Sequence, residues 1–262
     1  MQCINFYKYQ GAGNDFVLLD NRNGIYSRLT SKQIISLCDR HFGIGADGVI
    51  LINSSQDFDF EVDYSNPDGT KSFCGNGARC AVAFFAWLTN QERVFTFYAF
   101  DGLHEAEYLP ENQIKLKMAD VNRIVETSSS DYELNTGSPH LVKFIKNIHS
   151  IDVNVEGASI RYSEEYKEVG VNVNFVEVLN EQSLSIRTYE RGVENETLAC
   201  GTGVTAAVLA YSENVNLSGW HKIDVQAKGG KLSVEFEKKE HAFNNIFLIG
   251  PANFVFKGEI YV

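Results

Sequence analysis

Two cysteines in this 262-residue chain stand in matching surroundings. Cys74-Gly75-Asn76-Gly77 and Cys200-Gly201-Thr202-Gly203 each read cysteine, glycine, small polar residue, glycine. Each runs into an apolar, alanine-rich stretch, 81–88 after the first and 204–211 after the second. Those stretches have the length and the Ala/Leu content of helices. Each thiol is therefore expected where a glycine-bearing turn becomes a helix N-terminus. Unpaired backbone N–H groups collect there, and the helix dipole favours negative charge. Such a site eases ionisation of a thiol whose free pKa is about 8.5, and the same N–H groups can hold a carboxylate. The chemistry this suits is inversion of a carbon centre beside a carboxylate. One thiolate takes a proton from one face, and one thiol delivers a proton to the other. Gly75, Asn76, Gly201 and Thr202 are the natural suppliers of N–H groups for the charge that develops, worth about 3 kcal/mol or more per well-placed donor.

The elements that must position these turns come in two copies. The cysteines are 126 residues apart (200 minus 74). Tyr64 corresponds to Tyr189, each opening a turn-rich passage toward its cysteine. Gly13-Asn14-Asp15-Phe16 corresponds to Gly137-Ser138-Pro139-His140, each followed by a strand-like run. Asp101-Gly102 and Gly229-Gly230 punctuate equivalent hairpins. Four correspondences in one order at nearly one offset predict an internal duplication. The expected fold is α+β: two pseudo-symmetric domains, each a mixed or antiparallel sheet wrapped around a central helix. Domain limits are expected at 1–119, with strand 252–262 returning to that half, and at 120–251. The cysteine turns are expected to meet at the seam, where pockets tend to lie.

Within this frame, 30–42 reads as a helix with Thr30 and Gln33 forming a capping box. Ile34, Leu37, Cys38 and His41 share one face of it. Cys80 and Cys38 read as core thiols. Val169 to Leu179 reads as a strand whose Asn172 and Asn174, if buried, need partners. Asn66 is a turn former or a polar arm toward the first cysteine turn. Glu190-Arg191-Gly192 is a solvated pair or a clamp for a zwitterion. The polar, serine-rich stretch 120–131 reads as a link.

Composition narrows the class of partner. The formal charge is −11, which argues against nucleic acid or an anionic membrane. It permits an anionic small ligand, because surface charge is screened beyond about 8 Å. Five cysteines, an odd number, and a polar, aromatic start without a signal-like apolar region suggest free thiols in a reducing cytoplasm. The longest apolar run, 80–88, is far short of a transmembrane span of about 20 residues.

Cys74-Gly75-Asn76-Gly77-Ala78-Arg79-Cys80, and Glu190-Arg191-Gly192 through Ala199-Cys200-Gly201-Thr202-Gly203, closely resemble the two signatures of the diaminopimelate epimerases. Gly11-Ala12-Gly13-Asn14-Asp15-Phe16 resembles the N-terminal motif of that family, and the resemblance runs end to end. It implies an epimerase without cofactor or metal, interconverting LL- and meso-2,6-diaminopimelate for lysine and peptidoglycan synthesis, and a homodimer. It implies Cys74 and Cys200 as the acid/base pair, assisted by His140 and Glu190. Asn14, Asn66, Asn172, Glu190 and Arg191 are implied as substrate contacts, with Gly75-Asn76 and Gly201-Thr202 holding the reacting carboxylate. Three positions depart from the pattern. Ser138 replaces a common asparagine, Gly48 stands where some members carry a substrate-contacting glutamine, and Phe256 stands for a tyrosine at the dimer contact.

Four other readings compete. The cysteines could be buried structural thiols. A zinc site would need further ligands at a recognised spacing. A proline racemase or hydroxyproline epimerase would leave Arg191, Asn66 and Asn172 without a second amino-acid end to bind. A non-catalytic amino-acid-binding module would exchange no α-proton.

Overall fold

The computed structural model describes residues 2–127 and 131–262. The chain divides into two compact units, one of residues 1–116 with 250–262, the other of 117–249.

The first unit opens with strands β1 (Cys3–Gly11) and β2 (Asn14–Asp20), then helix α1 (Ser31–Cys38), β3 (Val49–Asn53) and β4 (Phe60–Ser65). Helix α2 (Gly75–Thr89) is followed by the meander β5 (Val94–Ala99), β6 (Gly102–Leu109) and β7 (Gln113–Lys117). Successive pairings run antiparallel for β1–β2, parallel for β2–β3, antiparallel for β3–β4, parallel for β4–β5, and antiparallel for β5–β6 and β6–β7. A parallel pair needs a crossover, and α2 supplies the one between β4 and β5. Eleven consecutive residues of α2, from Asn76 to Ala86, are buried. A helix covered all round carries no polar stripe, which is why its sequence is alanine and phenylalanine rather than amphipathic. The outer helix α1 is one-sided and buries Ile34, Leu37 and Cys38. It packs against Ile4, Phe6, Val17, Leu19, Val49 and Leu51.

The second unit carries β8 (Ile124–Glu126), β9 (Tyr132–Asn135), β10 (Pro139–Phe144), helix α3 (Val153–Arg161), β11 (Asn172–Asn180), β12 (Ser183–Glu190) and β13 (Asn195–Thr197). Helix α4 (Gly201–Asn214) precedes β14 (Gly219–Ala227), β15 (Gly230–Lys239) and β16 (Ala242–Pro251). Pairings from β9 onward repeat the first unit: antiparallel β9–β10, parallel β10–β11, antiparallel β11–β12, parallel β12–β14, antiparallel β14–β15 and β15–β16. Helix α4 is buried nearly throughout, as α2 is. The last strand, β17 (Asn253–Tyr261), pairs antiparallel with β1 in the first unit, as β8 pairs with β9 in the second.

The fold is thus α+β and duplicated, one buried helix per copy. The register gives the offset directly. Val17 pairs with Val49 and Leu141 with Val173, and both members differ by 124. The same register sets Val49 opposite Ser65 and Val173 opposite Tyr189. Tyr189 is therefore the counterpart of Ser65, and the match of Tyr64 with Tyr189 is one residue out. A single-residue slip reverses the face a side chain points to, so it matters which residue is matched. The helix expected over 30–42 is also shorter. Its capping box forms as read, but the chain leaves α1 at Asp39, whose carboxylate accepts the His41 and Phe42 amides. His41 is consequently exposed and does not share the apolar face.

Candidate active site

In the first unit, Cys74 is the N-cap of α2, with extended backbone (φ −134°, ψ 114°) and no side-chain cap of its own. The helix can start there because Gly77 lies against β2 and β3. A methyl group at 77 would stand 3.2 Å from Ile50 and 3.5 Å from Phe16. The Cys74 sulfur lies 3.6 Å from Oδ1 of Asn14, which opens β2. Asn76 donates to that same oxygen at 3.2 Å, and Arg79 donates to Oδ1 of Asn76 at 2.8 Å. On its other side the Asn14 amide donates to Asp47. Asp47 and Asp15 are both gripped by Arg40, at 2.6 and 2.7 Å. Hydrogen bonds from Arg40 and Lys8 outweigh burial and hold the Asp15 carboxyl down at about 2. The structure thus gathers Asn14, Cys74 and Asn76. Asn66 belongs to its own turn, donating to Thr70 Oγ1 at 3.0 Å and accepting from Ser72 at 3.2 Å.

Burial pushes the Cys80 thiol far up and Cys38 up to about 11. Both are therefore unionised core residues, as read from the sequence. Gly48 has a steric reason. A methyl group there would meet the Tyr64 ring at 2.3 Å and the Ser65 carbonyl at 2.7 Å. Tyr64, whose hydroxyl donates to the Asp47 carbonyl at 3.0 Å, fills the space a longer side chain would need.

In the second unit, Cys200 is the N-cap of α4 (φ −107°, ψ 111°). Its sulfur lies 3.4 Å from the Thr202 hydroxyl. Thr202 Oγ1 lies 3.2 Å from the Ser138 hydroxyl, and Ser138 lies 2.9 Å from Nε2 of His140. Nδ1 of His140 is 3.0 Å from the Asn174 amide nitrogen. Asn174 also donates to the Leu141 carbonyl at 3.1 Å and accepts from Thr188 at 3.0 Å. Asn172 donates to Ser138 and to the Pro139 carbonyl, both at 3.1 Å, and accepts the Arg191 amide at 2.9 Å. His140 is fully buried. Burial first, then the charge of Arg191, hold its pKa down to about 3 against the opposing bond from Asn174. It is a neutral imidazole at ordinary pH. The Arg191 side chain is exposed and donates to the Val169 carbonyl at 2.9 Å. Glu190 ends β12, half-buried, at the register position equivalent to Asn66.

Cys200, Thr202, Ser138, His140, Asn172 and Arg191 are therefore joined in one unit. Sequence reading found the cysteines, their glycine turns and Asn174 as an asparagine in need of partners, but not Asp47, Tyr64 or Thr188 as supports. Nothing local marks those three, because their role depends on which strand lies beside them. Ser138 carried a signal, as a departure from a motif.

Two buried, duplicated helices, each capped by a cysteine, define an α+β fold shared with known epimerases. The *Bacillus anthracis* phenazine biosynthesis protein of the PhzF family matches all of both chains with a TM-score of 0.78 at 16% identity. A hydroxyproline epimerase from *Agrobacterium vitis* matches 98% of this chain and 92% of its own, with a TM-score of 0.66 at 12% identity. These likenesses concern the fold. In sequence, a profile of the diaminopimelate epimerases matches residues 6–124 and again 132–255, once per copy. The diaminopimelate epimerase of *Flavobacterium psychrophilum* is 47% identical over 258 residues, covering 98% of this chain and 100% of the relative. That of *Chlorobaculum tepidum* is 40% identical over 259 residues, covering 95% and 98%. The chain belongs to the diaminopimelate epimerase family.

Proposed function

We propose that this protein epimerises LL-2,6-diaminopimelate to the meso isomer, using Cys74 and Cys200 as a two-base pair. The reading is carried by one observation. In a chain of this family, two equivalent helices each begin on a cysteine followed by glycine and a small polar residue. A thiolate takes the α-proton and becomes a thiol. The electron pair left behind spreads into the adjacent carboxylate, and the other thiol protonates the opposite face and becomes a thiolate. The stereochemistry of inversion requires one sulfur per face. The backbone amides of Gly75, Asn76, Gly201 and Thr202 are assigned to the carboxylate, because unpaired N–H groups of helix N-termini favour an anion. Asn14, Asn66, Asn172, Glu190 and Arg191 are assigned to the substrate, with His140 and Glu190 assisting the proton transfers. Both transfers use thiols of the chain, so the proposal needs no pyridoxal phosphate or metal.

A cytoplasmic location fits the five free cysteines. Among the described residues no helix is long and apolar enough to cross a membrane. A homodimer is supported by the neighbouring exposed side chains of Phe254, Val255 and Phe256 on β17, a run that breaks the usual alternation of a half-buried strand. Sedimentation as a monomer at working concentration would remove that part of the reading.

The test of the activity is deuterium uptake at the α-carbon of LL-diaminopimelate in D2O. Uptake with appearance of the meso isomer is expected. No exchange with any amino acid would favour a binding module, and exchange of proline alone would favour a proline racemase.

A further inference from the structure

The loop that carries Arg191 is fastened from outside the cysteine cluster. Arg191, Gly192, Val193 and Glu194 connect β12 to β13, whose ladder closes with Glu190 opposite Asn195. The amide of Glu194 donates to the Glu190 carbonyl at 2.8 Å and completes the turn. Two residues of the loop have positive φ, Gly192 at 92° and Glu194 at 57°. Glycine takes that conformation freely. A residue with a side chain is strained there, and it persists where its surroundings over-determine it.

The Glu194 carboxylate supplies that determination, because four groups converge on it. One oxygen accepts the Gly192 amide at 3.1 Å and lies 3.5 Å from Nε of Arg161. The other accepts the hydroxyls of Tyr162 at 3.0 Å and Tyr189 at 3.3 Å. Burial opposes ionisation, but these bonds outweigh it and hold the carboxyl below its ordinary value. Arg161 ends helix α3, Tyr162 caps it, and Tyr189 belongs to β12. Helix and strand approach this closely because residue 157 is glycine. A methyl group there would stand 2.3 Å from Cβ of Tyr189. Glu194 thus joins the loop both to the end of α3 and to the strand on which α3 packs.

The far end of Arg191 is held at the same corner. Gly170 has φ 78°, and a methyl group on it would stand 2.6 Å from Cδ of Arg191 and 2.8 Å from Cζ of Arg161. The Arg191 stem therefore lies across Gly170, and its guanidinium donates to the Val169 carbonyl at 2.9 Å. Arg161 also donates to the carbonyls of Tyr166 and Lys167, both at 3.4 Å, and the Gly170 amide donates to Tyr166 at 2.7 Å. The turn under Arg191 and the loop that carries it meet at Arg161 and Glu194.

We propose that Glu194 is a positioning residue for Arg191, fastening its loop to the end of α3 so that the guanidinium is presented to substrate in one place. This rests on the assignment of Arg191 to the substrate given above. A guanidinium grips a carboxylate through two parallel N–H···O bonds, a geometry that a shifted stem cannot meet. Asn172 fixes the Arg191 amide alone, and the chain beyond that amide takes its course from the bond between Gly192 and Glu194. An exposed ion pair contributes little by itself. The hydrogen bonds to Glu194, rather than its charge beside Arg161, therefore shape the loop, and a neutral acceptor of the same length should serve in its place.

The test is steady-state epimerisation by Glu194→Ala, Glu194→Gln, Arg191→Ala and the Glu194→Ala/Arg191→Ala double variant, with thermal unfolding of each. Glu194→Ala is expected to raise KM about fivefold or more and to leave kcat within about twofold of the parent. Glu194→Gln, which keeps an acceptor oxygen, should recover most of that loss. With Arg191 already replaced, Glu194→Ala should change KM by less than about twofold, because its effect passes through the guanidinium. An equal rise in KM with and without Arg191 would overturn the proposal, since Glu194 would then act by another route. So would a fall in kcat together with thermal stability, the mark of general loosening, or an unchanged KM in Glu194→Ala where Arg191→Ala raises it. An unchanged KM in Arg191→Ala itself would instead remove the assignment of Arg191 on which the proposal stands.

Discussion

A methyl group on Gly203 would stand 2.4 Å from Oδ1 of Asn174. This contact ties the N-terminus of α4 to β11, and through Asn174 to His140. The equivalent contact in the other copy is softer, because Gly77 faces the end of the Ile50 side chain at 3.2 Å. The third residue after each cysteine is thus a close-approach position, and the thiol is held by how near its helix can come to the sheet.

Gly203→Ala is expected to cost about 1–3 kcal/mol by overpacking. It should also lower the epimerisation rate, because α4 must lift Cys200 away from its partners. Gly77→Ala should cost less, since Ile50 can change rotamer. Denaturant midpoints for the two variants check the order, and a Gly77 variant destabilised as much as the Gly203 one would contradict it.

Cys74→Ala and Cys200→Ala should each lower kcat by on the order of 10² to 10⁴-fold, the range for loss of a positioned acid or base. Neither removes a large side chain, so thermal unfolding should stay close to that of the parent. A large loss of thermal stability with little loss of activity would restore the structural reading of these thiols.

The Arg191 side chain donates to the Val169 carbonyl, while its backbone amide, which survives substitution, holds Asn172. Arg191→Ala should therefore spare stability. A lost charged hydrogen bond of about 1.5–3 kcal/mol should appear mainly as a rise in KM of roughly 10- to 100-fold. Steady-state kinetics with unchanged KM and kcat would remove Arg191 from substrate binding.

His140 gives the fold a pH dependence with a defined sign. Its pKa is depressed on folding, from the ordinary 6.5 to about 3. The folded state thus binds fewer protons than the unfolded state between those values. The stability it contributes is complete above about 6.5 and falls as pH drops toward 3, by up to about 1.4 kcal/mol per pH unit. Urea unfolding of the parent between pH 7 and pH 5 should show this loss, and His140→Gln should show a shallower slope over the same range. Parallel slopes would mean that His140 is not the group responsible.

The duplication, the α+β class and the two helix-capping cysteines were all legible in the linear sequence, because each depends on short-range pattern. Glycine and cysteine spacing marks a turn entering a helix, and an Ala/Phe run without a polar face marks a helix buried on all sides. The capping box at Thr30 and Gln33 was legible for the same reason. The end of α1 was not. Asp39 turns the chain by accepting two amides just beyond it, a choice that competes evenly with one more helical turn until the following loop is packed.

What tertiary structure alone decided is the direction of the polar contacts. The sequence named Asn14 and Ser138 as equivalent and Asn172 and Asn174 as needing partners. Whether an amide offers its oxygen or its nitrogen to a cysteine depends on what holds its other end. Those holders are Asp47, Leu141, Pro139 and Thr188, brought in by strands distant along the chain. Hydrogen-bond polarity is a property of the closed network, so it exists only once the sheet has fixed every member.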